Sequence, residues 1–206
     1  MTLLAENLTQ SRGSRLLFEH VSFSIKPGET MLLTGPNGSG KTTLLRTLAG
    51  YMHPISGTVG LGGGGAAGSA LVEKCHFVGH LNALKPQFTV QENLSFWVQF
   101  FGPTAYAGRV VTALNRLNLV DIADIPAGYL SAGQKRRLGL ARLLLAPRPI
   151  WLLDEPTAAL DASSAAAIET LISEHTDGGG LAVVATHLPL NIPRLRELRL
   201  GLPEMG

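Results

Sequence analysis

Short apolar runs recur along the chain and predict its strands. Residues 150–153 and 181–185 contain only apolar side chains, and residues 31–34 form a similar run that ends in threonine. Uninterrupted apolar runs are typical of strands that are buried on both faces of a parallel sheet. Residues 17–25 are strand-like and alternate between polar and apolar side chains from His20 onward, and residues 3–8 are also strand-like. The pattern therefore predicts an N-terminal antiparallel β subdomain followed by a mostly parallel central sheet.

Helix signals separate these strands. The run 42–49 follows a glycine-rich turn and has the composition of a helix. Thr89, with a glutamate three residues later, forms a capping-box signature, and Ser131 is placed to cap a further helix. We therefore expect an α/β fold with an α-helical subdomain over about residues 90–145, within a single domain that covers residues 1–206.

Composition narrows the class of protein. The chain has 206 residues, of which 45% are hydrophobic and 16% charged, which suits one globular domain. A net charge of +2 is too small to favour nucleic acid as a partner, and the basic residues 135–137 are interpreted as a solvated helix face or as a contact to a nearby anion. No run reaches the roughly 18 apolar residues of a membrane span, and no signal peptide is recognisable.

Two smaller features complete the composition. Cys75 is the only cysteine, so it excludes an internal disulfide and is interpreted as a core residue of a protein in a reducing compartment. The glycine-rich run 60–68 is expected to form a flexible surface loop.

The strongest chemical signal is the run Gly-Pro-Asn-Gly-Ser-Gly-Lys-Thr at residues 35–42, a complete phosphate-binding loop. It follows a predicted strand and opens a predicted helix, which is the context that this motif requires. Its glycines allow successive backbone N–H groups to point inward at an anion. The Lys41 ammonium is expected to reach the β- and γ-phosphates, and the Thr42 hydroxyl is expected to ligate Mg²⁺.

A second set of motifs lies at the ends of the later strands. Asp154 and Glu155 directly follow the apolar run 150–153, and His187 follows the run 181–185. Because ligands of open α/β sheets bind at the carboxyl ends of the strands, these side chains are expected beside the phosphate loop. We expect Asp154 to hold Mg²⁺, Glu155 to accept a proton from the attacking water, and His187 to contact the γ-phosphate or orient that water.

The order and spacing of these motifs resemble those of the ATP-binding cassette (ABC) ATPases over essentially the whole chain. Residues 130–134 read Leu-Ser-Ala-Gly-Gln where that family has the signature Leu-Ser-Gly-Gly-Gln, and Ala132 adds only one methyl group. The resemblance implies ATP and Mg²⁺ as cofactors. It also implies a homodimer in which the signature of one subunit closes over the ATP that is bound to its partner. The residues expected to contact nucleotide are Arg12, Gly35, Pro36, Asn37, Gly38, Ser39, Gly40, Lys41, Thr42, Thr43, Ser131, Gly133 and Gln134.

Two further positions depart from the family pattern. Arg12 stands where the family has an aromatic residue that stacks on adenine, so it is either a stacking guanidinium or a solvated turn arginine. His80 stands where the family has a glutamine near the metal and near the junction with the membrane partner, which leaves the metal contact at this position open. Of the aromatic residues near it, a minority is expected at that junction: Phe88, Phe96, Trp97, Phe100 and Phe101.

The departures, together with the basic residues after the signature and the short C-terminus, are similar to one subfamily, the ATP-binding subunits of the bacterial haem exporter of c-type cytochrome biogenesis. That resemblance implies a peripheral protein on the cytoplasmic face of the inner membrane, paired with an integral membrane permease subunit. ATP hydrolysis would then support haem delivery or export, without direct ligation of haem by this chain. The alternatives are an ATPase subunit of another ABC exporter or importer with different cargo, or a soluble ABC protein of translation or DNA repair.

Overall fold

The computed structural model describes residues 1–62, 69–102 and 108–201, and its N-terminal part is an antiparallel sheet. Its strands are β1 (Thr2–Arg12), β2 (Arg15–Ile25) and β4 (Ser56–Gly62), and their order in space is β2-β1-β4. A two-residue turn joins β1 to β2, so that Arg12 and Arg15 are cross-strand partners at the tip of the hairpin. The predicted antiparallel region is therefore confirmed, and its hairpin tip carries two arginines.

A second sheet, in which every neighbouring pair of strands is parallel, forms the centre of the protein. Its strands are β3 (Thr30–Thr34), β5 (Cys75–Val78), β6 (Ile150–Asp154), β7 (Leu181–Ala185) and β8 (Leu195–Arg199), in the order β5-β6-β7-β3-β8. All residues of β6 and β7 are buried, as their continuous apolar runs predict. Because parallel strands end at the same edge, the segments after β3, β6 and β7 meet there.

The helices lie between and around the strands. They are α1 (Lys41–Leu48), α2 (Ser69–Lys74), α3 (Val90–Phe101), α4 (Gly108–Arg116), α5 (Ala132–Ala141) and α6 (Ala162–Asp177), with short 3-10 turns at Val120–Ile122, Ala127–Tyr129 and Arg142–Leu144. The Thr89 hydroxyl accepts a hydrogen bond from the Glu92 N–H at 3.1 Å, and the Glu92 carboxylate accepts one from the Thr89 N–H at 2.8 Å. The predicted capping box at the start of α3 is confirmed.

The parallel sheet separates two apolar cores. Trp151 and Leu153 on one face of β6 pack with α3, α4 and α5. Ile150 and Leu152 on the other face pack with α1 and the antiparallel sheet. Successive side chains of a strand point to opposite faces, so the apolar residues of β6 contribute to both cores. Cys75 belongs to the second core, where burial raises the pKa of its thiol to about 12, and its interpretation as a core residue is confirmed.

Some elements differ from the sequence prediction or were missed by it. The glycine-rich run 60–68 was expected to be a loop, but residues 60–62 belong to β4, where pairing with β1 satisfies their backbone groups. The rest of that run lies outside the described residues. β8 and α6 were not predicted, because neither has a clear hydrophobic pattern in the sequence. β8 is a half-exposed strand at the edge of the sheet, and α6 begins with serines and alanines. No helix in the described part of the chain is both long and apolar enough to cross a membrane.

Candidate functional site

The phosphate loop joins β3 to α1 at the carboxyl edge of the parallel sheet. Gly35 and Gly40 have φ values of 132° and 100°, in the left-handed region that favours glycine. A Cβ atom on Gly35 would lie 2.1 Å from the backbone oxygen of Leu200, so this position also has no room for a side chain. α1 begins directly after Gly40 without a side-chain cap, which leaves its first N–H groups directed at the loop. The loop therefore has the backbone of an anion-binding site.

Lys41 is the first residue of α1 and is only 9% exposed. Its ammonium donates hydrogen bonds to the backbone oxygens of Gly35 at 2.7 Å and Pro36 at 3.2 Å. Burial lowers the pKa of Lys41, whereas the carboxylates of Glu155 and Asp154 oppose that shift. The ammonium is thus held inside the loop, close enough to both carboxylates for their charges to affect its pKa.

Thr42 and Asp154 are in direct contact across the site. The Thr42 hydroxyl donates a hydrogen bond to the Asp154 carboxylate at 2.8 Å, and Asp154 is 4% exposed at the end of β6. These two side chains were predicted to hold the same metal from positions far apart in the chain. A hydroxyl and a carboxylate side by side present hard oxygen ligands of the kind that Mg²⁺ takes.

Glu155 follows β6 in an unusual backbone conformation. Its φ of 50° lies in the left-handed region, and its N–H donates to the backbone oxygen of Ala185 at 2.7 Å. A glutamate in this region costs about 1–3 kcal/mol and persists only where the surrounding structure holds it. The Glu155 carboxylate lies 3.7 Å from Nε2 of His187, so the two side chains that were expected to handle the attacking water are neighbours.

These groups line one cleft with a volume of about 390 Å³. Its lining residues are Arg12, Arg15, Leu17, Asn37, Gly38, Gly40, Lys41, Thr42, Thr43, His80, Asp154, Glu155 and His187. Arg12 and His80, whose roles the sequence analysis left undecided, both line this cleft.

The sequence reasoning missed Arg15 and Leu17 in this cleft. Arg15 is the cross-strand partner of Arg12, and Nη1 of its guanidinium is 3.7 Å from the point that a Cβ on Gly38 would occupy. The signal available in the sequence was the spacing of two arginines around a two-residue turn, which places both at one hairpin tip.

The remaining predicted residues fall into two groups. Gly35 and Pro36 supply the carbonyls that hold Lys41, and the buried Ser39 hydroxyl has no hydrogen-bond partner among the described residues. Ser131, Gly133 and Gln134 are absent from the lining of the cleft. They form the start of α5, where Ser131 and Gln134 make a reciprocal capping box. The start of α5 is therefore a helix N-terminus that lies outside the chain's own cleft.

The prediction that residues 135–137 form a solvated face is wrong for Arg136. Its side chain is 4% exposed and donates hydrogen bonds to backbone oxygens at the end of β6. Burial lowers the pKa of Arg136, and the charges of Asp154 and Glu155 oppose that shift. Charge patterning alone missed this because a guanidinium with all its N–H groups bonded can be buried, whereas an isolated basic run is normally solvated.

The donor set of the cleft suits a nucleoside triphosphate with Mg²⁺. The loop leads into the uncapped start of α1 and carries one buried ammonium and an unpaired hydroxyl at Ser39, all of which match phosphate oxygens. Within the described residues, no three or more His, Cys, Asp and Glu side chains cluster as a metal cage. The Thr42 hydroxyl and the Asp154 carboxylate fit Mg²⁺, which is usually bound by one or two protein oxygens together with substrate phosphates and water.

Comparison with known proteins adds independent findings. The ABC transporter family profile matches residues 18–158. The chain is 46% identical over 201 residues to the cytochrome c biogenesis ATP-binding export protein CcmA of Chelativorans sp. strain BNC1, with 98% of each chain covered. It is also 46% identical over 202 residues to the protein of the same name from Rhizobium meliloti strain 1021, with 97% of this chain and 98% of the relative covered. Among solved structures, it is similar to a dimeric ATP-binding cassette in a post-hydrolysis state with ADP and phosphate bound, with a TM-score of 0.81, 27% identity and 96% of each chain covered.

Proposed function

The chain belongs to the ABC transporter family, and on that premise we propose that it is the ATP-hydrolysing subunit of a haem exporter in c-type cytochrome biogenesis. The observation that carries the ATPase assignment is the single cleft in which the phosphate loop, the Thr42–Asp154 pair and the Glu155–His187 pair meet. The observation that supports the haem assignment is 46% identity over nearly the whole length of relatives that are named cytochrome c biogenesis ATP-binding export proteins.

Each side chain of the cleft has one proposed task. Lys41 leaves its loop carbonyls to neutralise phosphate oxygens, and Thr42 and Asp154 hold Mg²⁺. When bound, Mg²⁺ would supply positive charge to the oxygens of the terminal phosphates. Glu155 accepts the proton of the attacking water, and His187 orients that water or contacts the γ-phosphate. Arg12 and Arg15 line the cleft, where planar guanidiniums suit contacts with a base or with phosphate.

The first test is the variant Glu155→Gln, which keeps the size of the side chain and removes the base. We expect ATP affinity close to that of the parent and a turnover lower by about 10²- to 10⁴-fold, the usual contribution of a general base. Steady-state phosphate release and nucleotide binding by fluorescence measure the two effects separately. Hydrolysis at the parent rate would exclude Glu155 as the base.

We propose that the active unit is a head-to-tail homodimer. Ser131, Gly133 and Gln134 form a helix start that lies outside the chain's own cleft, so they are placed to contact the nucleotide of a second copy. Slow hydrolysis traps the closed state, and therefore the Glu155→Gln variant with ATP and Mg²⁺ should sediment as a dimer. A monomer under those conditions, also in the presence of the membrane partner, would contradict the dimer.

A permease subunit on the cytoplasmic side of the inner membrane is the proposed partner. Leu81, directly after His80, is 81% exposed, and Phe88 and Phe100 are 39% and 66% exposed. Phe96, Trp97 and Phe101 are less exposed, so a minority of the aromatic cluster is available for the proposed contact. Exposed apolar side chains, one of which follows a residue of the nucleotide cleft, suit a coupling interface with such a subunit.

The haem assignment is tested in cells with Lys41→Ala. This change removes the phosphate-binding ammonium while leaving the aromatic surface intact, so the protein should be made and recruited to the membrane. We expect c-type cytochromes to lack covalent haem, which haem-stained gels of periplasmic extracts detect. Normal cytochromes in a strain without a second gene copy would refute the haem role and favour an ABC ATPase with different cargo.

A further inference from the structure

Arg136 on α5 binds the backbone of the proposed catalytic segment. Its Nη2 atom donates to the backbone oxygens of Asp154 at 2.6 Å and Glu155 at 2.8 Å, and its Nε atom donates to that of Pro156 at 3.3 Å. Three consecutive carbonyls at the end of β6 therefore share one guanidinium. Because Glu155 is held in the left-handed region, each such contact helps to keep its carboxylate in place.

The other side of the same guanidinium binds the loop that follows β5. Nη1 of Arg136 donates to the backbone oxygen of Gly79 at 2.9 Å and to the Asn82 side-chain oxygen at 3.0 Å. This loop, residues 79–83, also contains His80 in the cleft and the highly exposed Leu81. Arg136 is thus a bridge between a surface loop and the end of β6.

The packing of the loop against α5 depends on Gly139. A Cβ atom there would lie 3.0 Å from the Asn82 Cβ and 3.1 Å from its Oδ1. The absence of a side chain at Gly139 allows Asn82 to come within hydrogen-bond distance of Arg136. The bridge therefore depends on the buried guanidinium of Arg136, on the Asn82 oxygen that accepts its hydrogen bond, and on Gly139, which leaves space for both side chains.

We propose that Arg136 is a positioning residue that couples loop 79–83 to Glu155. A movement of this loop, driven by the membrane partner, displaces the acceptors of Nη1. Because the guanidinium is planar and rigid, that displacement is passed to the carbonyls that Nη2 holds. The inference rests on the proposed roles of Glu155 as the base and of loop 79–83 as part of the partner interface.

The variant Asn82→Ala tests the loop side of the bridge. It removes one acceptor of Arg136 and leaves all three bonds to the end of β6. In the intact transporter complex we expect partner-stimulated ATPase to fall by about threefold to thirtyfold, the usual range for residues that carry coupling. The basal ATPase and the ATP affinity of the isolated chain should remain within about twofold of the parent. Asn115→Ala, which removes a local hydrogen bond on α4, is the matched control and should leave the stimulation unchanged.

The variant Arg136→Lys tests the catalytic side. A lysine keeps the charge but cannot bridge five acceptors, so turnover should fall by about tenfold or more while ATP affinity stays within about threefold. Arg137→Lys is the control, because Arg137 also donates to two backbone oxygens, those of Leu117 and Asn118, away from the cleft. A merely structural role would instead lower thermal stability, affinity and turnover in parallel.

The variant Gly139→Ala tests the same bridge without deleting a hydrogen-bonding group, so it can be used even if Arg136→Lys fails to fold. Its added methyl group displaces Asn82 and should reproduce the loss of partner stimulation. Full stimulation in both Asn82→Ala and Gly139→Ala, or parent turnover in folded Arg136→Lys, would overturn the inference. If Glu155→Gln hydrolyses ATP at the parent rate, the proposed function itself fails. If that variant is inactive while the bridge variants behave like the parent, only the coupling role fails.

Discussion

His76, on the strand that leads to loop 79–83, makes the stability of this protein sensitive to acid. Its ring is 3% exposed, its Nε2 atom lies 2.9 Å from the backbone oxygen of Ala146, and it packs edge-on against Phe101. Burial, aided by the nearby Arg148 and Arg142, lowers its pKa from 6.5 to about 3. The folded protein therefore keeps this histidine neutral at pH values where the unfolded chain protonates it.

The size of the effect follows from the two pKa values. Above pH 6.5 both states carry neutral His76, so it adds no pH dependence. Below that value the unfolded state binds a proton that the folded state does not, and the free energy of unfolding falls by about 1.4 kcal/mol per pH unit until the pH approaches 3. Between pH 7.5 and pH 5 the loss from this single group amounts to about 2 kcal/mol.

Urea unfolding of the parent and of His76→Gln at these two pH values isolates the contribution. The variant loses packing at both values, but its difference in unfolding free energy between them should be smaller than that of the parent by about 2 kcal/mol. His53→Gln, at an exposed histidine, is the matched control and should keep the parent difference. An unchanged difference in His76→Gln would refute the reasoning, because it would mean that the folded protein accepts the proton at His76.

Two further predictions concern the cleft. Gly35→Ala places a methyl group against the Leu200 carbonyl, so it should lower the free energy of unfolding in denaturant by more than about 3 kcal/mol and abolish ATP binding. Gly13→Ala is the control, because Gly13 also has a positive φ but no atom lies near its Cβ, and it should lower that free energy by about 1–2 kcal/mol. Similar costs for the two variants would contradict the steric argument. Arg15→Ala should weaken ATP binding about tenfold by removing a charged hydrogen-bond donor, while Arg46→Ala on an exposed face of α1 should not; equal affinities for ATP would exclude a nucleotide contact by Arg15.

Local interactions explain why much of the fold was predictable. The apolar runs of β6 and β7 have to be buried on both faces, and the capping boxes at Thr89 and Ser131 satisfy N–H groups within three residues. The phosphate loop is equally local, since its glycines and its lysine act within one strand–loop–helix unit. Each of these features depends on neighbours in the sequence, so the sequence by itself determined them.

Only the tertiary structure decided the contacts between distant segments. Arg15 lies in the cleft because a hairpin tip folds over the phosphate loop, and the edge strand β8 is stabilised by its pairing with β3 although its own pattern is mixed. Arg136 is the clearest case, because the residue types around it suggest a solvated charge, whereas five acceptors from two other segments make its burial favourable. A guanidinium can be buried only where the fold provides hydrogen-bond acceptors for it. For Arg136 these acceptors lie in segments that are distant in the sequence, so the adjacent residues do not predict its burial.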